Sequence, residues 1–84
     1  MLSLRQAQGI TLNRLREEKG HTLRYVSYMS GLSIGHISEV ESGNKNISTE
    51  SLEAYVTTLD IDIVQYFQEL AWTYQGKRKQ ETNG

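Results

Sequence analysis

The chain of 84 residues contains no cysteine and no proline. Without cysteine it can build neither a disulfide framework nor a thiolate metal centre, which fits a reducing interior. Without proline, nothing inside it forbids long helical stretches. Aromatic residues are few, with one Trp, one Phe and five Tyr. Apolar residues never run to the roughly 20 that a membrane helix needs, and the N-terminus lacks the basic-then-apolar pattern of a leader. A soluble, cytoplasmic protein is expected. The length suits one domain with a modest core. No strand alternation, internal repeat or low-complexity tract is present.

The net charge is −1, but it is unevenly spread. Residues 1–19 carry Arg5, Arg14, Arg16 and Lys19 against Glu17 and Glu18, a surplus of +2. Residues 20–47 balance Arg24 and Lys45 against Glu39 and Glu41. Residues 48–76 hold Glu50, Glu53, Asp60, Asp62 and Glu69 with no Lys or Arg, a sum of −5. The tail 77–84 sets Lys77, Arg78 and Lys79 against Glu81. A polyanion would meet the first half of the chain, although an ordinary solvated surface can carry the same imbalance.

Five short helices with tight joints are expected. The first spans about 10–19, with Leu12 and Leu15 on one face and Gly20 as its stop. Ser3 and Gln6 have capping-box spacing, but Gly9 weakens a continuous helix and leaves its start open. Thr22 caps a second helix, about 23–30, with Val26 and Met29 inward and Gly31 ending it. Ser33 caps a third, about 34–42, with Ile37 and Val40 inward and Gly43 closing it. Asn44-Lys45-Asn46 is a polar loop. Ser48 caps a fourth helix, about 49–59, with Leu52, Tyr55, Val56 and Leu59 on one stripe. Asp60 turns the chain out of it, since Asp tolerates the left-handed conformation better than most residues. Asp62 caps a fifth, about 63–75, carrying Ile63, Tyr66, Phe67, Leu70 and Tyr74.

Enzymatic chemistry is not indicated. Two histidines fifteen residues apart, His21 and His36, have no ligands at metal-binding spacing, and no phosphate loop or nucleophile elbow appears. No cofactor, metal or small-molecule ligand is expected. The informative stretch is Thr22 to Gly43, TLRYVSYMSGLSIGHISEVESG. It reads as two capped helices joined by Ser30-Gly31-Leu32, with small Ser27 where the first packs on the second. Val26, Leu32, Ile37 and Val40 are the apolar anchors. Such a unit lets its second helix stand clear of the body and lie in a major groove.

Here the chain resembles the Cro-like, xenobiotic-response-element family of phage and bacterial repressors. The likeness covers roughly residues 10–70 and, within the family, looks most like actinobacterial-type regulators. It also takes in Arg16, Glu41 and the Leu59-Asp60-Ile61 joint. It implies an all-α, compact four- to five-helix lambda-repressor-like domain whose third helix reads DNA. Carried over by position, the base-reading sites are Ser33, Ile34, Gly35, His36 and Glu39. Ser33 can donate to phosphate or base, Ile34 can pack on a thymine methyl, and Glu39 can accept from a cytosine amino group. Gly35 permits close backbone approach, and His36 can donate to phosphate. Phosphate contacts are assigned to the start of the second helix, at Thr22, Leu23 and Arg24, and to Asn44, Lys45 and Asn46. The family often has glutamine directly after the second helix's cap. Leu23 stands there instead, and Arg24 is the replacement donor. The resemblance further implies a partly buried ion pair between Arg16 and Glu41. Each surface residue also has an ordinary reading: Ile34 as half-buried, His36 and Glu39 as solvated.

A single reading head gains affinity by two-fold pairing. Ile63, Phe67 and Leu70 are expected to bury against helices one and four. Tyr66, Trp72 and Tyr74, with Leu70 counted in both sets, form the candidate homodimer surface. Residues 1–9 are an N-terminal arm or helix extension, 10–75 the DNA-binding domain, and 76–84 a polar tail whose Lys77, Arg78 and Lys79 reach phosphate or simply solubilise. The expected function is sequence-specific binding of double-stranded DNA at a palindromic operator, as a transcriptional repressor. The alternative is a helix-turn-helix module of the antitoxin or antirepressor kind, acting through a regulatory protein partner.

Overall fold

Ser3 sets where the chain becomes helical. Its side chain accepts from the Gln6 amide while the Gln6 side chain accepts from the Ser3 amide, so a complete capping box opens α1, Leu4–Glu18. The helix therefore starts six residues before the position that apolar periodicity alone indicates, and Gly9 lies inside it. The computed structural model describes residues 2–76; the basic tail at 77–79 lies outside them.

The other helices are α2 (Leu23–Ser30), α3 (Ile34–Glu41), α4 (Thr49–Thr58) and α5 (Ile63–Gln75). Each opens on a side-chain cap, from Thr22, Ser33, Ser48 and Asp62 in turn, which accepts from the amide three residues on. Such caps satisfy amides that the helix itself leaves unpaired. Asp60 takes a left-handed backbone with φ 63°, which makes the sharp exit from α4.

Helix α1 packs on α3 and α5, α2 on α3 and α4, and α4 on α5. The core is Ala7, Leu12, Leu15, Val26, Ile37, Val40, Leu52, Tyr55, Val56, Leu59, Tyr66 and Leu70. Gly9 lets α1 and α3 approach: a Cβ there would lie well inside contact distance of the Val40 carbonyl and 2.7 Å from that of Glu41.

Three expected orientations differ. Met29 is 54% exposed, because two-turn α2 turns only Val26 fully inward and Met29 lies on its uncovered side. Tyr66, expected at the surface, is completely buried, and Phe67, expected in the core, is 51% exposed. Ile63, Tyr66 and Leu70 follow one apolar stripe of a 3.6-residue helix, and Ile63, Phe67 and Leu70 follow another. The sequence accommodates both. The rotation of α5 after the Asp60 turn selects the first.

Candidate nucleic-acid interface

The joint between α2 and α3 is built to release α3 from the body. Gly31 adopts φ 81°, and its amide closes α2 on the Ser27 carbonyl. The Ser27 hydroxyl donates to the Leu32 carbonyl at 2.5 Å, and the Leu32 amide donates to Ser30 Oγ at 3.1 Å. Leu32 packs against the core, so the chain leaves α2, drops one apolar anchor and starts α3 at Ser33. Ile37 and Val40 bury the inner side of α3.

On its outer side Ser33, Ile34, Gly35 and Glu39 are exposed and His36 is half-buried. Nothing surrounds Gly35. Ser33 Oγ already accepts from the His36 amide, which leaves its hydroxyl proton and one lone pair to offer. Ser38 is exposed on the same side and is absent from the residues that sequence motifs single out. Its spacing of four from Ile34 and three from Gly35 is the signal that would have found it.

Two polar margins flank α3. Thr22 Oγ1 caps α2 by accepting from the Tyr25 amide, and Arg24 beyond it is exposed. The side chain of Leu23 packs against the core, so only its amide remains for a ligand. The His21 and Tyr25 rings stack with centroids 4.3 Å apart. At the other end Asn44, Lys45 and Asn46 are exposed, and the Asn44 amide donates back to the Glu39 carbonyl at 2.9 Å. Arg5, which no sequence motif singles out, reaches this margin from α1: its Nε donates to the Gly43 carbonyl at 2.9 Å.

Beneath α3 lies a charge network. Arg16 Nε donates to Glu41 Oε2 at 2.8 Å and Arg16 Nη2 to Oε1 at 3.0 Å, while Nη1 holds the His21 carbonyl at 2.8 Å. Asn13 Nδ2 donates to Oε1 at 3.0 Å, and the Tyr55 hydroxyl donates to Oε2 and lies 3.2 Å from the Leu12 carbonyl. Burial works to raise the Glu41 carboxyl, but the hydrogen bonds from Arg16, Tyr55 and Asn13 and the nearby guanidinium charge outweigh it. The carboxyl is held below its ordinary range. Burial, then the bond to Glu41, pushes the Tyr55 phenol far up. The network joins α1, α3 and α4 and fixes the height and tilt of α3.

An outward helix with a contoured side and amide-rich, basic margins is the form that reads a groove from a duplex backbone. The helix-turn-helix family model matches residues 12–65, which takes in α2, α3, α4 and both joints.

The chain belongs to the helix-turn-helix family of transcriptional regulators.

That family is not enzymatic, and its Cro-like, xenobiotic-response-element branch is the one matched. The transcriptional regulator ClgR of Mycobacterium tuberculosis (strain H37Rv) is 38% identical over 60 residues, covering 71% of this chain and 54% of that protein. The helix-turn-helix chain thus spans about half the length of the curated relatives it matches. A crystal structure of the clp gene regulator ClgR from Corynebacterium glutamicum superposes with a TM-score of 0.85 at 33% identity, covering 96% of this chain and 86% of that one. The restriction-modification controller protein C.Esp1396I, solved as a tetramer in complex with its natural 35 base-pair operator, gives 0.80 at 27% identity, with 87% and 96% covered.

In this helix-turn-helix chain the surface of α5 differs from the expected one. Tyr66 is wholly inside the fold and Leu70 is 7% exposed, which leaves little area to offer a second molecule. Trp72 and Tyr74 are each 46% exposed. By helical spacing Val64, Phe67, Ala71 and Tyr74 share one outward ridge. No helix of the described residues is long and apolar enough to cross a membrane.

Proposed function

We propose that this chain binds double-stranded DNA sequence-specifically as a homodimer, with α3 in the major groove, and represses transcription at an operator with two-fold symmetry. The observation that carries this reading is the outward side of α3. Ile34, Gly35, Ser38 and Glu39 are free of the body, while Arg24 and Lys45 stand at the two margins where phosphates would run. Ile34 supplies an apolar contact for a thymine methyl and Glu39 an acceptor for a cytosine amino group. Thr22, the Leu23 amide, Asn44 and Asn46 add phosphate donors. The operator-bound tetramer of the controller protein supports the same use of this fold.

Pairing is assigned to the α5 ridge of Val64, Phe67 and Tyr74. Two-fold pairing would place half-sites about one helical turn apart, roughly 34 Å. Repression follows from occupancy, because a dimer on its operator occludes polymerase. The site of action is the cytoplasm.

Selection of bound sequences from random duplex tests the proposal, since it returns operator, symmetry and spacing together. A symmetric site whose preference shifts with Ile34→Ala or Glu39→Ala supports it. Absence of duplex binding at low salt overturns it.

One observation favours a second reading, docking of a regulatory protein. Tyr28, 84% exposed, and Met29, 54% exposed, leave large apolar area uncovered on α2, more than a phosphate contact through the Tyr28 hydroxyl would use. Met29→Ser separates the two, since it weakens a protein partner that covers this apolar area and leaves duplex affinity intact.

A further inference from the structure

We infer that Arg5, in the first turn of α1, is a phosphate-contact residue of the same surface, held in position by its own bond to the loop after α3. The inference rests on the DNA-binding reading. It starts from the contact between Arg5 Nε and the Gly43 carbonyl, 2.9 Å across 38 residues of sequence. A guanidinium has five N–H donors in a planar fork. That bond uses one of them and leaves the two Nη groups.

The bond also places the charge. Gly43 directly precedes Asn44-Lys45-Asn46, so the guanidinium stands beside the exposed loop that carries Lys45. The first turns of α1 are not a loose arm there. A Cβ on Gly43 would come within 3.3 Å of Gln6 Cγ, and one on Gly9 would strike the α3 carbonyls. Arg5 is thus delivered by a rigid helix against a rigid corner. Anchoring a long side chain in advance lowers the entropy lost when it meets an anion, and the planar fork suits phosphate oxygens.

The distribution of charge singles out the same residue. Arg14 is committed to Glu69 at 2.9 Å and Glu18 at 3.3 Å, and Arg16 to Glu41. Among the described residues Arg5, Lys19, Arg24 and Lys45 have no carboxylate within ion-pair distance. The positive surplus of the first nineteen residues therefore does not reside where the count of arginines suggests. Two of its four cations are neutralised internally, and of the other two only Arg5 is tied to the recognition corner. The competing role for Arg5 is mechanical: a tether that closes the carbonyl end of α3 and meets no DNA.

Salt dependence separates the two roles, because each cation that neutralises a phosphate contributes about 0.9 to the slope of log K against log salt. The full chain is titrated with a selected site and with random duplex over a range of monovalent salt, as wild type and as Arg5→Gln, Arg5→Lys and Lys45→Gln. Arg5→Gln keeps a donor for Gly43 and loses the charge. It is expected to flatten the slope by about 0.9 per bound chain on both duplexes, with site preference unchanged, and Arg5→Lys to restore it. If Arg5→Gln weakens binding at an unchanged slope, Arg5 is a tether only and the inference fails. Flattening by Lys45→Gln but not by Arg5→Gln also overturns the inference, while the DNA reading stands. No salt-dependent binding by the wild type overturns both. A measurement without substitution decides independently: the Arg5 Nε–H resonance of the wild type must move when random duplex is added, and a stationary resonance overturns the inference.

Discussion

Arg16 of α1 meets Glu41 of α3 through two hydrogen bonds, with side chains only 10% and 7% exposed. Two charges so far from water are costly unless every lone pair is used, and here Asn13, Tyr55 and the His21 carbonyl complete the set. The pair sits directly under the outward helix, so its integrity and the orientation of α3 are one property.

Removing one partner leaves the other charge buried. Glu41→Ala and Arg16→Ala are each expected to cost about 3–5 kcal/mol, a large share of the roughly 5–15 kcal/mol that such a domain possesses. Replacing both with apolar residues of similar size is expected to cost less than either single change. Denaturant unfolding of the three variants checks this, and equal losses in all of them would refute it.

The same carboxyl sets an acid response. Its pKa in the folded chain lies below the ordinary 4.5, so its contribution is complete above that value and is lost as pH falls through the lower, folded pKa. Stability measured from pH 7 downward should hold until the ordinary carboxylate range and decline below it. Glu41→Gln should lack its share of that decline.

Gly9→Ala improves helix propensity by about 1 kcal/mol yet drives a methyl into the Val40 and Glu41 carbonyls. The clash is with backbone, which cannot rotate away, so a net loss of about 1–2 kcal/mol is expected. Because the carbonyls belong to α3, duplex affinity should fall by more than the stability loss alone explains. A stabilised variant would show that α1 and α3 are not in contact there.

Tyr66 is wholly buried with no hydrogen-bond partner for its hydroxyl, and burial pushes its pKa up to about 12. Tyr66→Phe should be neutral or stabilising by up to about 1 kcal/mol at pH 7. Below pH 10, the ordinary tyrosine value, the phenol is neutral in both states; above it the unfolded chain ionises first, so stability falls as pH rises from there through about 12. The Phe variant should lose stability less steeply across that interval, as thermal unfolding against pH would show.

Phe67→Glu changes a side chain that is half exposed, so the fold should survive it. If the α5 ridge pairs two chains, the variant should sediment as a monomer at concentrations where the wild type is a dimer. A dimer that persists would move the interface elsewhere.

Local chemistry by itself determined a good deal. The caps Thr22, Ser33, Ser48 and Asp62, and the turns at Gly31 and Asp60, lie within a few residues of what they stabilise, so sequence alone places them. The base-reading candidates came from the family resemblance, carried over by position, and the fold leaves Ser33, Ile34, Gly35 and Glu39 exposed and His36 half-buried. Tertiary structure decided what depends on distant partners. Gly9 reads as a helix breaker until α3 is seen across it, and Met29 as core until α2 proves too short to cover it. Tyr66 and Phe67 exchange roles because adjacent apolar residues fit two helix rotations, and only packing against α1 and α4 selects one. Tyr55 reads as one apolar residue among several, yet its hydroxyl completes the Glu41 network. Charge differs most between the two levels: arginines count alike in a sequence, whereas the fold neutralises Arg14 and Arg16 and leaves Arg5 bonded to Gly43 beside the Asn44-Lys45-Asn46 loop, because an ion pair depends on where side chains converge in space.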